Sequence, residues 1–459
     1  MVDFVIIGSG VSGGRMAHEL TSAGAKCILL EAGREFSRKT FPDNEMDYST
    51  QLFWGGGIEI SSDGHLGFLR AKCLGGTSIV NQALLDRFDD SAWDDWKARS
   101  GVSFFNQKDM EAHYQACESS IPISEVPKQF YNRNAHIFTQ AFDKEGYGWK
   151  ALKRAQSDCR LDKGSDCIVC LGGCPRESKQ SSLVTTIRWA REKGLTVESG
   201  FEASHINYAS DHVEVFGKQQ GLAKSFKGAK VVLAAGALGN SAILLRSSIA
   251  KKLPALGKSF TCHPQFMTYA MFDEPVDAHK GAFQVVKSYD PKLRKAGFKL
   301  ENVYAPPIGT AMLIPGQGLR HQELMKKYRH YASMEVAIRD DPSGVITVQG
   351  DKIIINKSLT AADREKAKGG LKLVTELFTA AGAKEIVPCT QGFGLHLMGG
   401  CTMGTDSQTS VVSPDFHVHG HPNLVVGDSS IFPAAPGINP SFTIMALSHR
   451  ASRAALGTQ

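Results

Sequence analysis

Phe4-Val5-Ile6-Ile7-Gly8-Ser9-Gly10-Val11-Ser12-Gly13 starts with four apolar residues and closes on three glycines spaced G-x-G-x-x-G. The apolar run reads as a buried parallel strand. Met16, Leu20 and Ala23 then recur at helical spacing, Gly24 stops the helix, and Cys27-Ile28-Leu29-Leu30-Glu31 reads as a second strand. This makes one β-α-β unit within about 30 residues. In such a unit Gly8 permits the tight turn, Gly10 lets backbone approach a pyrophosphate, and Gly13 lets helix and strand pack closely. Val11 and Ser12 open the helix, whose unpaired N–H groups and partial positive charge suit that pyrophosphate. Glu31 ends the second strand 23 residues after Gly8. Its carboxylate suits a ribose diol and repels a 2′-phosphate, which disfavours NADP. Glycine-rich turns recur without ligands, but here strand, helix and terminal acid are all in place.

The remainder of the chain sets bounds on what such a unit can belong to. The 459 residues suffice for two or more domains. A composition of 42% hydrophobic and 21% charged residues is that of a globular protein. Net charge is +6 with Lys and Arg scattered, so no nucleic-acid footprint is expected. No run approaches the roughly 18 apolar residues of a transmembrane helix. The first strand begins near Asp3, leaving no room for a cleavable signal peptide, so a cytoplasmic location is expected. Export together with a signal-bearing partner is compatible with the same sequence. Ten cysteines without a secretory signal read as reduced thiols or metal ligands.

Further along, residues 86–120 look helical and residues 155–182 irregular. Lys230-Val231-Val232-Leu233-Ala234-Ala235-Gly236 is another buried strand, followed by a helix near residues 240–246. The stretches Phe266-Met267-Thr268-Tyr269-Ala270-Met271 and Ala332-Ser333-Met334-Glu335-Val336-Ala337-Ile338 alternate in the manner of antiparallel strands. Residues 360–381 read as an amphipathic helix opening on a Thr cap, Asn423 to Gly427 as a short strand, and residues 441–456 as a closing helix.

Two residues near the C-terminus carry chemistry. His396 lies in His-Leu-Met-Gly-Gly-Cys, and 43 residues later Asn439 lies in Gly-Ile-Asn-Pro-Ser-Phe-Thr. An imidazole with an ordinary pKa near 6.5 can take an alcohol proton at pH 7, and an amide can bind the same oxygen without competing for that proton. Of the 15 histidines, His263, His417, His419 and His421 are expected to be structural. Cys159, Cys167, Cys170 and Cys174 are spaced C-x7-C-x2-C-x3-C-P. Three readings stay open for them: an iron–sulfur cluster, structural thiols or a disulfide, and zinc. Phe53, Trp54 and Tyr304 suit stacking on a sugar or a sterol, though packing is the commoner use of such aromatics.

Taken together these segments resemble the glucose-methanol-choline (GMC) oxidoreductases, in their His/Asn subtype. The resemblance rests on the Gly8–Gly13 fingerprint, Glu31-Ala32-Gly33, Leu74-Gly75-Gly76-Thr77-Ser78-Ile79-Val80-Asn81, Val232-Leu233-Ala234-Ala235-Gly236-Ala237, and Gly427-Asp428-Ser429-Ser430-Ile431-Phe432-Pro433 with Asn439-Pro440 and Thr443. It implies an α/β plus α+β fold of the p-hydroxybenzoate-hydroxylase-like kind. A Rossmann-like FAD-binding domain would pair with an antiparallel-sheet substrate domain. It implies FAD, held by Gly8, Gly10, Val11, Ser12, Gly13, Glu31, Ala32, Gly75, Gly76, Thr77, Asn81, Ala235, Gly236, Gly427, Asp428, Asn439, Pro440 and Thr443. It implies hydride transfer from an alcohol carbon to flavin N5, with His396 as base and Asn439 beside it.

The expected segments are 1–105 and 196–262 for FAD, 106–195 for an insertion with the cysteines, 263–385 for substrate, and 386–459 for the closing FAD and catalytic segment. Relatives that pass electrons to cytochromes carry a cluster in a similar insertion, so a cytochrome or quinone acceptor is expected if the cysteines hold iron. The long-chain alcohol oxidase branch has much the same cysteine segment, with Gly173-Cys174, Lys179 and Ser181 in similar places. The chain departs from the family at Ala71-Lys72-Cys73, where Gly-Arg is common, and in its short length, which implies pared-down substrate loops. Rival readings are a lyase in which FAD is structural and a flavoprotein that only senses redox state.

Overall fold

The computed structural model describes residues 1–161, 167–282, 284–389 and 391–458; the side chains of residues 167–169 also fall outside the described set. The opening unit forms as read: β1 (Val2–Ile7), α1 (Val11–Ser22) and β2 (Cys27–Glu31). Val5 and Ile6 of β1 and Leu29 of β2 are fully buried, as strands sandwiched on both faces require. In α1 the face toward the sheet is Met16, Ala17 and Leu20, all fully buried. Ala23, expected on that face, is instead the exposed residue that caps the helix C-terminus, because Gly24 turns the chain away at φ +86°. Strand, turn and helix touch without spare room: a Cβ on Gly13 would lie 1.9 Å from the Gly8 carbonyl oxygen.

The first sheet runs, in spatial order, His421–Val426, Leu222–Leu233, β1, β2 and Thr196–Ser199, all mutually parallel. Strands Phe201–Tyr208 and Val213–Gln219 extend it as an antiparallel flap. Helix Gly236–Leu245 follows the Leu222–Leu233 strand, and helix Ser441–Leu456 packs on α1. Trp93, Trp96, Phe105 and Phe432 form a fully buried aromatic cluster with ring centroids 4.3–6.0 Å apart.

The second sheet is built on Thr261–Met271 and Tyr331–Ile338, which pair antiparallel with Phe266 opposite Val336. It draws strands from far along the chain: Trp149–Ala151, Val286–Ser288 and Phe298–Asn302 on one side, Gly392–Met398 and Leu66–Phe68 on the other. Helix Ala361–Ala380, capped by a Thr360/Asp363 box, covers one face. Leu300, Met334 and Val336 alternate onto that apolar face. The residues between them, Lys299, Glu301, Glu335 and Ala337, turn to the opposite face, and it too is buried.

Candidate active site

The N-terminus of α1 has Gly10 as its cap and no side-chain cap, and the Ser12 hydroxyl is buried without a partner. Helix Ser441–Leu456 likewise begins at Pro440 without a side-chain cap. Val11 and Ser441 line one cleft together with Ser78, Asn81, Lys179 and Met445. Uncapped helix N-termini and an orphaned hydroxyl are what an anionic pyrophosphate satisfies, so these residues fit a dinucleotide.

Ser9, which the fingerprint treats as a spacer, organises this region. Its amide and hydroxyl both donate to Glu31 Oε2, at 3.1 and 2.5 Å, and its hydroxyl oxygen accepts from the Gly75 amide at 2.8 Å. Glu31 Oε1 accepts from the Gly33 amide at 2.8 Å. The second glycine-rich segment is thereby pinned to the first turn, and a Cβ on Gly76 would lie 2.7 Å from Gly10 Cα. Glu31 ends β2 as expected and is buried, which pushes its carboxyl pKa up. Asp428 works the same way on the far side of the sheet. It accepts from the Gly236 amide at 2.7 Å, from Asn240 at 2.9 Å, and from the Ser430 amide and hydroxyl. The Ala235 amide donates to Asn240, and the Thr443 hydroxyl meets the Tyr114 hydroxyl at 2.5 Å.

His396 sits in the Gly392–Met398 strand at φ +56°, a conformation that a residue with a side chain seldom adopts. Its Nδ1 lies 2.9 Å from Nδ1 of His263, the one hydrogen bond of its ring among the described residues. His263, expected to be structural, therefore belongs to the site. Its Nε2 accepts from the Gly437 amide at 2.9 Å. Asn439 lies two residues on, buried, its Oδ1 accepting from Lys299 and its Nδ2 donating to Glu301 at 3.1 Å. His396 and Asn439 do not bond to each other; the 437–439 segment joins them.

A row of ionisable side chains on the second sheet completes the site. Lys299 bonds Glu301 at 2.5 Å, Gln284 donates to the other Glu301 oxygen at 2.6 Å, and Glu335 stands directly across from Glu301 on the neighbouring strand. Lys287, also opposite Glu301, pairs with Asp86 at 2.5 Å. Burial lowers the pKa of His396 to about 3, with Lys299 pushing the same way and Glu301 opposing. Burial also pushes Glu301 up, but Lys299 and Lys287 outweigh it and hold that carboxyl below its ordinary value. Glu335 has no such cation of its own. Burial, then the Glu301 charge, raises it to about 8, and its Oε1 has no partner.

A folded-state pKa of about 8 against an ordinary 4.5 means the native state holds a proton that the unfolded chain releases. That stabilisation is complete below pH 4.5 and is lost as pH rises toward 8, at about 1.4 kcal/mol per pH unit. Glu335→Gln is neutral throughout. The difference in urea midpoint between variant and parent should move in the variant's favour between pH 5 and pH 8. A constant difference would show that Glu335 ionises normally.

The other candidate residues fall elsewhere. Cys159 Sγ contacts the Ser178 hydroxyl at 3.0 Å, and Cys174 Sγ accepts from the Lys179 amide at 3.5 Å. The Cys167 side chain lies outside the described residues, and among those described no group of three metal-ligating side chains is placed to hold an ion. The iron–sulfur and zinc readings thus gain no support. Lys179 is buried and donates to the carbonyls of Ile79, Asn81 and Cys170, which ties the cysteine segment to the wall of the cleft. His417 and His421 lie in a short antiparallel strand pair. Tyr304 is packed among Tyr269, His279 and Tyr328, and Trp54 lies under Arg70 and Lys72. No helix of the described residues is long and apolar enough to cross a membrane.

The parallel sheet with its glycine turns and the second antiparallel sheet agree with comparisons to known proteins. GMC oxidoreductase profiles match residues 49–265 and 335–448, more than half of the chain, and the chain belongs to that family. It is 28% identical to the uncharacterized GMC-type oxidoreductase y4nJ of Sinorhizobium fredii, over 99% of this chain and 94% of that one. It is 25% identical to the long-chain-alcohol oxidase FAO4B of Arabidopsis thaliana, over 97% of this chain and 66% of that one. A formate oxidase of Aspergillus oryzae RIB40, studied for FAD modification, superposes with a TM-score of 0.76 at 15% identity, over 99% of this chain and 98% of the other.

Proposed function

We propose that this protein oxidises an alcohol to an aldehyde or ketone with FAD as its cofactor. The observation that carries the reading is a neutral imidazole, His396, whose ring bonds among the described residues to His263 alone, beside the Asn439 segment that leads into the cleft. When bound, FAD supplies the acceptor for the carbinol hydride. The two glycine-rich turns, the α1 N-terminus and the Ser441 helix start would hold it. His396 takes up the hydroxyl proton, and burial keeps the resting ring uncharged. Asn439, fixed by Lys299 and Glu301, orients the carbinol oxygen through its amide. The oxidase names of FAO4B and of the formate oxidase support dioxygen as the electron acceptor in place of a cytochrome or a quinone.

The protein is expected to purify with one FAD per chain. Anaerobic addition of alcohols from a panel of primary, secondary and sugar alcohols is expected to bleach the flavin absorbance, with oxygen uptake on return to air. Intact FAD that no alcohol bleaches would sink this reading and leave the lyase or the redox sensor. A folded protein that takes up no FAD on reconstitution would remove all three.

A further inference from the structure

The hydrogen bonds around His263 and His396 admit one arrangement of protons. The Gly437 amide donates to His263 Nε2 at 2.9 Å, so that nitrogen carries a lone pair. A neutral imidazole has a single N–H, so His263 carries it on Nδ1. His263 Nδ1 then donates to His396 Nδ1, 2.9 Å away, and His396 must carry its own proton on Nε2. A cationic ring breaks the chain at either place. His263 would turn an N–H against the Gly437 N–H, and His396 would turn an N–H against that of His263. Bare Nε2 on a neutral His396 is excluded by the same logic.

We infer that the Gly437 amide, acting through His263, sets which nitrogen of His396 carries the proton. While the contact holds, His396 is a hydrogen-bond donor toward substrate, and it becomes a proton acceptor only when Gly437 releases His263. The inference rests on the reading of His396 as the base and makes His263 a positioning residue. After release, His263 holds its proton on Nε2, His396 donates from Nδ1 to His263 Nδ1, and His396 Nε2 is bare. Water exchanges the two outer protons, and the pair holds two protons before and after. A third then arrives from the alcohol. The resulting imidazolium keeps both N–H groups paired, one with His263 and one with the product oxygen.

The position of Gly437 gives the release a cause. It lies in the segment that runs through Asn439 to Ser441 at the cleft. Substrate that enters beside Asn439 presses on the stretch that carries the amide. The charged groups facing the pair are Lys299 and Glu301 from the second sheet, with Arg294 and Arg339 near His263. All but Glu301 disfavour a cation on the rings, so the resting pair stays neutral and the question is one of tautomer.

The test reads tautomers directly. In FAD-loaded protein labelled with ¹⁵N-histidine, long-range proton–nitrogen spectra distinguish Nδ1–H from Nε2–H, with His263→Gln and His396→Gln used for assignment. The expected resting state is Nδ1–H on His263 and Nε2–H on His396. His263→Gln can still receive the Gly437 amide but loses His396. His263→Asn can still reach His396 but loses Gly437. In both, His396 should become a mixture of tautomers, and the acid limb of kcat/KM against pH should move up by at least one unit. Nδ1–H on His396 in the resting parent protein would overturn the inference, as would an unchanged tautomer and an unchanged limb in both variants. If neither variant folds, the parent spectrum decides alone. A protein with the expected tautomers that no alcohol reduces would refute the alcohol reading and uphold the assignment.

Discussion

His396→Ala is expected to slow anaerobic flavin reduction by about 10²–10⁴-fold, the range associated with losing a general base. FAD content should be unchanged, since the ring bonds to His263 and to no residue of the cofactor cleft. Stability should fall by about 1–3 kcal/mol, because the buried His263 Nδ1–H loses its acceptor. The backbone strain at φ +56°, about 1–2 kcal/mol for a residue with a Cβ, is the same for alanine as for histidine. The parent rate should also lack the acid limb near pH 6.5 of an ordinary histidine, because burial and Lys299 hold this ring at about 3. The ring is therefore neutral from pH 5 upward and becomes protonated only in strong acid. Rapid-mixing absorbance of the flavin against pH, for parent and variant, checks both statements. Near-parental reduction by the variant would pass the role of base to His263.

What the sequence discloses, and what it hides, divides along contact distance. β1, α1, β2, the Thr360 cap and the closing helix are local: each is set by spacing within a few turns of chain, and each forms close to where its pattern places it. The two long strands at 261–271 and 331–338 are legible for the same reason. The charged row is not. Phe298-Lys299-Leu300-Glu301-Asn302 alternates like a strand with one wet face, and alternation reports only that the two faces differ. Here the polar face is covered by the 437–439 segment, about 140 residues away in the chain, and no local signal announces that cover. His263 was hidden likewise. A lone histidine before a proline reads as structural until Gly437 and His396 are brought to its two nitrogens. Ser9 carries no such mark in the sequence, because fingerprints name the glycines and leave the spacer unassigned.

The buried row also sets the largest expected stability effect. Lys299→Met keeps the length of the side chain and removes its charge. Glu301 would then keep its Asn439 and Gln284 bonds but lose the ammonium 2.5 Å away, with Glu335 directly across the strands. Removing one partner of a buried pair leaves an uncompensated charge, at a cost of about 3–5 kcal/mol. The variant should therefore unfold at markedly lower urea, and Asn439 loses the donor that orients its carbonyl. The double variant Lys299→Met/Glu301→Gln tests the cause, since it removes the stranded charge while keeping an amide to meet Asn439 and Gln284. It should recover a substantial part of the lost stability, because a buried pair replaced on both sides costs far less than one broken on a single side. Recovery of stability without recovery of flavin reduction would assign Lys299 a second task in holding Asn439. If the double variant is no more stable than the single one, the loss comes from packing of the lysine stem, and the electrostatic account of this face fails.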